Sequence, residues 1–456
     1  MTATARPTAG TVRPYRFPET ERVTLANGLR VVVAPMHRLP LVTVLALVDA
    51  GASADPAGSE GLAVLTAQCL AEGSGSLDGV ALNEAFENLG TSFEAYADWD
   101  ASVARVTVLP SQLEAALAQF AEVLRDPSFP EREVLRRRDE RLADLAQIDS
   151  DPRALADHRY TRALYAPGSR FARPLGGARA SVGALAQASL RDFHAERYRP
   201  EVTTLIVVGD CTAARARALA DAHFADWRVT TRPPERARGS TERAEGRRTV
   251  LVQKQGAQQT ELRVGHVGVP RSHPDHLAIV VMNAVLGGLF ASRLNLNLRE
   301  KHAFAYGASS GFDWRRDAGP FVASAAVKSE VTDQALTEIL REIDLMREAP
   351  PTAAEVSLAT EYLAGVFPIR FETTAAVAGA IAGATTHALP DDWFAMYRER
   401  ILRVDASAVH AAARAHLDPE RLLVLAVGDQ ATIEVPLKAL AIGSMRVQNS
   451  NDDEGA

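Results

Sequence analysis

Short apolar blocks alternate along this chain with longer stretches that repeat every three to four residues. Val23 to Ala34 (VTLANGLRVVVA) reads as strand, Asn27-Gly28 turn, strand. Leu41 to Asp49 is a third, strongly apolar strand, and Gly61 to Glu72 (GLAVLTAQCLAE) predicts a buried helix. A second helix is predicted over Asp78 to Leu89. Phe93 to Trp99 and Ser102 to Leu109 alternate as an antiparallel hairpin around Asp98-Trp99-Asp100. Amphipathic helices are expected over 111–125, 130–149 and 152–164, then an apolar strand over 205–209 and a helix over 213–224.

Val229 to Arg248 breaks this pattern with Arg, Glu, Thr, Pro and Gly, and reads as a linker. The pattern then restarts. Strands are predicted over 249–253, 262–269 and 321–327, and helices over 274–286, 331–348, 353–367, 373–387, 391–403 and 405–416. A last strand is expected over 422–428. The restart is a repeat. Pro200-Glu201 leads through an apolar strand to Gly209-Asp210, and Pro419-Glu420 leads through another to Gly428-Asp429, 219 residues on. A Trp-bearing turn also recurs, at Asp98-Trp99 and Asp313-Trp314. The fold class expected is α+β: two duplicated domains, each a mostly antiparallel mixed sheet with helices packed on one face. The boundaries expected are a flexible arm over 1–20, domains over 21–228 and 249–440, a linker over 229–248, and a disordered tail over 441–456.

Composition narrows the partners. A length of 456 residues suggests roughly two to four domains. Hydrophobic content of 47% is ample for real cores, and a formal charge of −7 argues against nucleic acid. The most basic run, Arg132 to Arg141, is interleaved with acids and reads as a solvated helix face. Cys69 and Cys211 are expected as buried free thiols. The first residues lack the apolar core of a secretory signal, and no run of eighteen apolar residues suggests a membrane span. The expectation is a cytoplasmic protein without membrane contact.

The stretch with most chemistry runs from Gly287 to Gly307 (GGLFASRLNLNLREKHAFAYG). A diglycine, read as flexible, opens a helix with Leu294 and Leu298 on one face. Arg299 sits near its C-terminal end and Tyr306 seven positions later, at the start of a strand. On the residues alone two readings stand. Arg299 and Tyr306 are a helix-end cation and a half-buried aromatic, or together they donate hydrogen bonds to a carbonyl oxygen.

The duplicated halves, the Gly-rich loop and Arg-Glu-Lys-x-x-x-x-Tyr resemble the pitrilysin-type (M16) metallopeptidase family over about residues 20–435. The resemblance implies that Arg299 and Tyr306 bind substrate, with Gly287 and Gly288 lining the chamber. It also implies a zinc site in the first half, His-x-x-Glu-His on a helix opening Gly-Leu-Ala. Here Gly61-Leu62-Ala63 is followed by Val64, Ala67 and Gln68 at those three positions. Asp144 stands where the family places its last metal ligand, a glutamate. Valine and alanine neither ligate metal nor move protons. Elsewhere, His273 and His276 form His-x-x-His just before a helix, and His410 and His416 share no helical face well.

The resemblance therefore implies a non-catalytic, substrate-binding subunit. It would bind no cofactor itself and would pair with a homologous peptidase chain that carries His-x-x-Glu-His and the zinc. Tyr306 would stabilise the oxyanion on a peptide substrate, and Arg299 would anchor its backbone. The alternatives are a structural subunit of the respiratory-complex core type and a homodimeric, peptide-binding chamber.

Overall fold

The computed structural model describes residues 14–231, 235 and 246–449. The first half supplies β1 (Glu21–Thr24), β2 (Arg30–Pro35), β3 (Val42–Val48), β4 (Gly73–Ser74), β5 (Leu77–Asp78), β6 (Glu94–Ala97), β7 (Ser102–Val108) and β8 (Thr203–Gly209). The second supplies β9 (Arg248–Gln253), β10 (Gln259–Val267), β11 (Ala305–Phe312), β12 (Pro320–Lys328), β13 (Leu423–Gly428) and β14 (Ser444–Asn449). Apart from the small β4–β5 ribbon they form two sheets, ordered β1-β2-β8-β3-β7-β6 and β11-β12-β10-β13-β9-β14. Apart from the edge strands β1 and β14, these are one pattern read from opposite ends, as the duplication requires. Each is mostly antiparallel, with a parallel pair next to the edge (β2 with β8, β9 with β13).

The helices of the first half are α1 (Leu62–Cys69), α2 (Gly79–Asn88), α3 (Leu113–Arg125), α4 (Glu131–Ile148), α5 (Pro152–Leu164), α6 (Arg179–Gly183), α7 (Gln187–Arg197) and α8 (Ala213–Phe224). Those of the second are α9 (His276–Asn283), α10 (Arg293–Asn295), α11 (Thr332–Glu348), α12 (Ala353–Val366), α13 (Thr374–Thr386), α14 (Trp393–Leu402), α15 (Ala406–His416) and α16 (Gln430–Ala439). In each half most helices pack on one face of the sheet, as the amphipathic pattern predicts.

The opposite faces are covered by exchange. α5 leaves its own half and lies on the second sheet, burying Leu155, Tyr160 and Leu164 against Val250, Val252, Leu423 and Leu425. The Tyr160 hydroxyl donates to the carbonyl of Phe321 at 2.8 Å, and Tyr165 to that of Ala318 at 2.9 Å. Gly265 makes room, since a Cβ there would stand 2.5 Å from the Tyr160 hydroxyl. α13 returns the contact, burying Val377, Ala378 and Ile381 on Val32, Leu45, Ile206 and Val208. Thr374 and Thr43 join the two by a hydroxyl pair at 2.8 Å. β3 is consequently buried at all seven positions, which explains an apolar run interrupted only by Thr43, whose hydroxyl is paired.

The tail expected to be disordered is corrected by β14, which pairs in parallel with β9 and fills the edge that β1 fills in the first sheet. Its sequence, SMRVQN, alternates Ser444, Arg446 and Gln448 with Met445 and Val447; Met445 packs against the core of the second half, and the parallel ladder to β9 supplies the backbone bonds. Of the arm expected to be flexible, residues 1–13 lie outside the described residues. Tyr15 packs edge-on to Phe367, and Phe17 stacks on Phe394 at 4.2 Å. Most of the expected linker, 232–234 and 236–245, also lies outside them.

The two Trp-bearing turns meet between the halves. The Arg315 guanidinium lies 4.4 Å from the Trp99 ring, and the Arg316 amide donates to Asp100 at 2.9 Å. Burial pushes the Asp100 carboxyl up to about 6, against the pull of that amide and the Arg316 charge. The folded chain thus holds this proton more tightly than the unfolded chain. The stability it contributes is complete below the ordinary value near 3.8 and is lost as pH rises through about 6. Asp100→Asn keeps an acceptor for the amide and removes the buried charge. It is expected to stabilise the protein at pH 7 by roughly 1–3 kcal/mol, with the gain vanishing near pH 4. Thermal melts of both proteins at the two pH values check this, and a variant that melts lower at pH 7 would refute it.

Candidate functional site

The helix that would carry zinc is built with care and lacks the ligands. Gly61 stands at its N-terminus with φ 97°, and a Cβ there would meet the Gly176 carbonyl at 2.8 Å. The buried Asp55 carboxylate accepts from the amides of Gly61 at 2.9 Å and Ala63 at 2.8 Å, which caps α1. Its second partner is the buried Arg170 guanidinium at 2.8 Å, which also donates to the Ala52 carbonyl at 2.9 Å. On this helix Val64 is half-buried, Ala67 fully buried and Gln68 exposed. Asp144 is exposed on α4, 4.0 Å from Arg141.

Arg137 and Arg141 of α4 flank the two ends of α1. Arg137, with Arg136, clamps the buried carboxylate of Glu72 just beyond its C-terminus. Arg141 donates at 3.0 Å to the Gly176 carbonyl beside Gly61. The basic run expected to be a solvated face is largely that, with Arg136 and Arg137 at its edge gripping one buried carboxylate. One amide, one carboxylate and neighbouring guanidinium groups do not fit a zinc ion, which takes three or four N, O or S donors. Cys69 lies on the buried side of α1, and burial beside Glu72 pushes its thiol up to about 12.

The second half brings Arg299 and Tyr306 to one corner. α9 runs into a wide π turn, Ala284–Gly288, which breaks at Leu289. The diglycine read as flexible is a packing device. Gly287 is buried, and a Cβ on it would lie 2.5 Å from the Ser310 amide nitrogen of β11. The Asn283 side chain fixes the crossing, donating to the Ser310 carbonyl at 3.0 Å and accepting from its hydroxyl at 2.8 Å. Gly288 is exposed and sits two residues before Phe290.

A second π turn, Leu296–Lys301, follows α10 and carries Arg299, while Leu294 and Leu298 enter the core as their spacing predicts. Such wide turns recur at functional sites. The β11–β12 register shifts between Ala305 and Ala308, and the Ala308 amide turns to the Asn295 side chain at 2.9 Å. That bulge leaves Tyr306 93% exposed, so it is not the half-buried aromatic of the structural reading. The Arg299 guanidinium lies 4.5 Å from the Phe290 ring and 5.6 Å from the Tyr306 ring. Phe290 is itself 72% exposed. Cation–π contact with both rings orients the guanidinium, whose Nε also lies 3.3 Å from Glu300 Oε1. In sequence, Phe290 was marked only by its place after the glycine pair.

The segment His276–Lys301 is long and apolar enough in composition to cross a membrane. Its apolar positions, including Ile279, Met282, Leu286 and Leu298, form the core of the second half.

Two family descriptions match in tandem, "Insulinase (Peptidase family M16)" over residues 30–175 and "Peptidase M16 inactive domain" over 184–363. The chain belongs to the M16 peptidase family. An uncharacterized zinc protease of Mycobacterium leprae is 28% identical over 342 residues, 74% of this M16 chain and 77% of the relative. The bovine cytochrome b-c1 complex subunit 1 is 24% identical, over 59% of this chain and 56% of its own. The crystal structure of a peptidase M16 inactive domain from Pseudomonas fluorescens superposes with a TM-score of 0.84 at 26% identity, covering 90% of this chain and 98% of that one. The M16 chain described here thus has the two-domain α+β fold of the family and lacks the zinc donors in its first half.

Proposed function

We propose that this chain is the substrate-binding, non-catalytic subunit of a two-chain M16 peptidase. The observation that carries the reading is the exposed triad of Phe290, Arg299 and Tyr306, on a chain whose α1 has lost its metal donors. The phenol would donate to the carbonyl oxygen of the scissile peptide as negative charge develops there. The guanidinium would take neighbouring backbone carbonyls. Zinc and the general base would come from a homologous chain carrying His-x-x-Glu-His.

A second reading, a structural subunit without proteolysis, is favoured by the likeness to the bovine cytochrome b-c1 subunit. Purification of the tagged chain from its own cells separates the two. Co-purification of a similar-sized chain with His-x-x-Glu-His, with peptidase activity in the pair and none in either chain alone, is expected. Recovery in a stable complex that contains no such chain would overturn the proposal. So would a pure chain that binds peptide tightly as a homodimer and gains nothing from a partner.

A further inference from the structure

We propose that His273, Asp275 and His416 form a binding site for one divalent transition-metal cation, remote in sequence from the zinc motif and independent of the function proposed above. His273 lies in the turn before α9, Asp275 is the residue before its first turn, and His416 is the last residue of α15. The fold brings the start of α9 against the end of α15 and places one donor atom from each residue within 4.8 Å of the other two. Among the described residues no other group of three His, Cys, Asp or Glu side chains is gathered in this way.

The separations suit an ion arriving between groups that now bond each other. His416 Nε2 is 2.7 Å from Asp275 Oδ2, His273 Nδ1 is 3.9 Å from that oxygen, and the two imidazoles lie 4.7 Å apart, nearly perpendicular. A tetrahedral ion with bonds of about 2.0–2.2 Å holds its donors roughly 3.3–3.5 Å apart. The first pair would open by roughly 0.6–0.8 Å, and His273 would close on Asp275 by roughly 0.4–0.6 Å. His273 and Asp275 sit on the turn that leads into α9, and the Asp275 side chain is half exposed. The His416 side chain is only 10% exposed and provides the fixed point. At present His273 Nδ1 also accepts a long 3.2 Å bond from the Asp275 amide, which a cation would replace.

Two imidazoles and one carboxylate select zinc, nickel or cobalt over magnesium or calcium, which want oxygen. His276, the other half of the His-x-x-His pair, is not part of the set. Its ring packs on Trp314 at 4.3 Å and Trp393 at 5.7 Å, and burial pushes its pKa far down. The sequence pairs His273 with His276, whereas the fold pairs it with a residue near the other end of the domain.

The test uses the full chain, freed of its tag and treated with a chelator, titrated with ZnCl2, NiCl2 or CoCl2 alone in a calorimeter. One equivalent is expected to bind, with a dissociation constant in the micromolar range and a rise in melting temperature that grows with free metal. Cobalt is expected to give the visible absorption of a histidine-ligated ion. His273→Asn, on the exposed turn, is expected to fold as the wild type and to weaken binding at least tenfold. Asp275→Asn and His416→Gln are expected to do the same. Saturable binding unchanged in His273→Asn, or none with any of the three ions, would overturn the site.

Discussion

Tyr306→Phe, reconstituted with a partner that carries His-x-x-Glu-His, is expected to cleave peptide about a hundredfold more slowly than wild type, with KM nearly unchanged. The change is narrow. The ring that flanks the Arg299 guanidinium stays, and so does the bulge that exposes it, because Asn295 and not Tyr306 takes the Ala308 amide. Only the hydroxyl donor is lost. An interaction made chiefly in the transition state appears in kcat, whereas uniform binding would appear in KM. Wild-type turnover by the variant complex would remove the role assigned to Tyr306. A rise in KM alone would make it a ground-state contact.

Asp55→Ala is expected to destabilise the chain by about 3–5 kcal/mol, measured by chemical denaturation. Burial drives the Asp55 carboxyl up and the Arg170 guanidinium down, and each partly restrains the other. The pair therefore contributes little net stability, while either charge left alone is expensive. Removing Asp55 strands Arg170 in the interior and uncaps the amides of Gly61 and Ala63. Replacing both, as Asp55→Asn with Arg170→Met, is expected to recover part of the loss, because the Asn oxygen still accepts from one of the two α1 amides and no charge is stranded. A single variant as stable as wild type would show that the pair is not closed to water.

The sequence made the duplication legible because each half ends on the same Pro-to-Gly-Asp strand, and strand ends with fixed turn residues leave a clear trace. It placed Arg299 and Tyr306 on one helix-to-strand corner and left their role open between two readings, which only the resemblance to a family pattern separated. It hid what depends on which surfaces meet. The apolar stripe of α5 announces a partner without saying that the partner is the other sheet. Gly287 reads as freedom in a string of letters and is a tight contact in space. Arg137 reads as surface charge because Glu72, its buried partner, lies far away in sequence. β14 left only a faint pattern, since Met445 and Val447 are too few apolar positions to announce an edge strand whose backbone pairs with β9.

The exchange of α5 and α13 has a mechanical meaning. Each half is bolted to the other by a helix that also roofs the other's sheet, so prising them apart would wet two apolar sheet faces at once. Such a chain cannot gape on an internal hinge. If it encloses substrate together with a second chain, the doorway must be the seam between the two chains. Admission and release would then be governed by how firmly the partners hold each other, and a covalent cross-link across that seam would stop turnover of anything too large to slip through it.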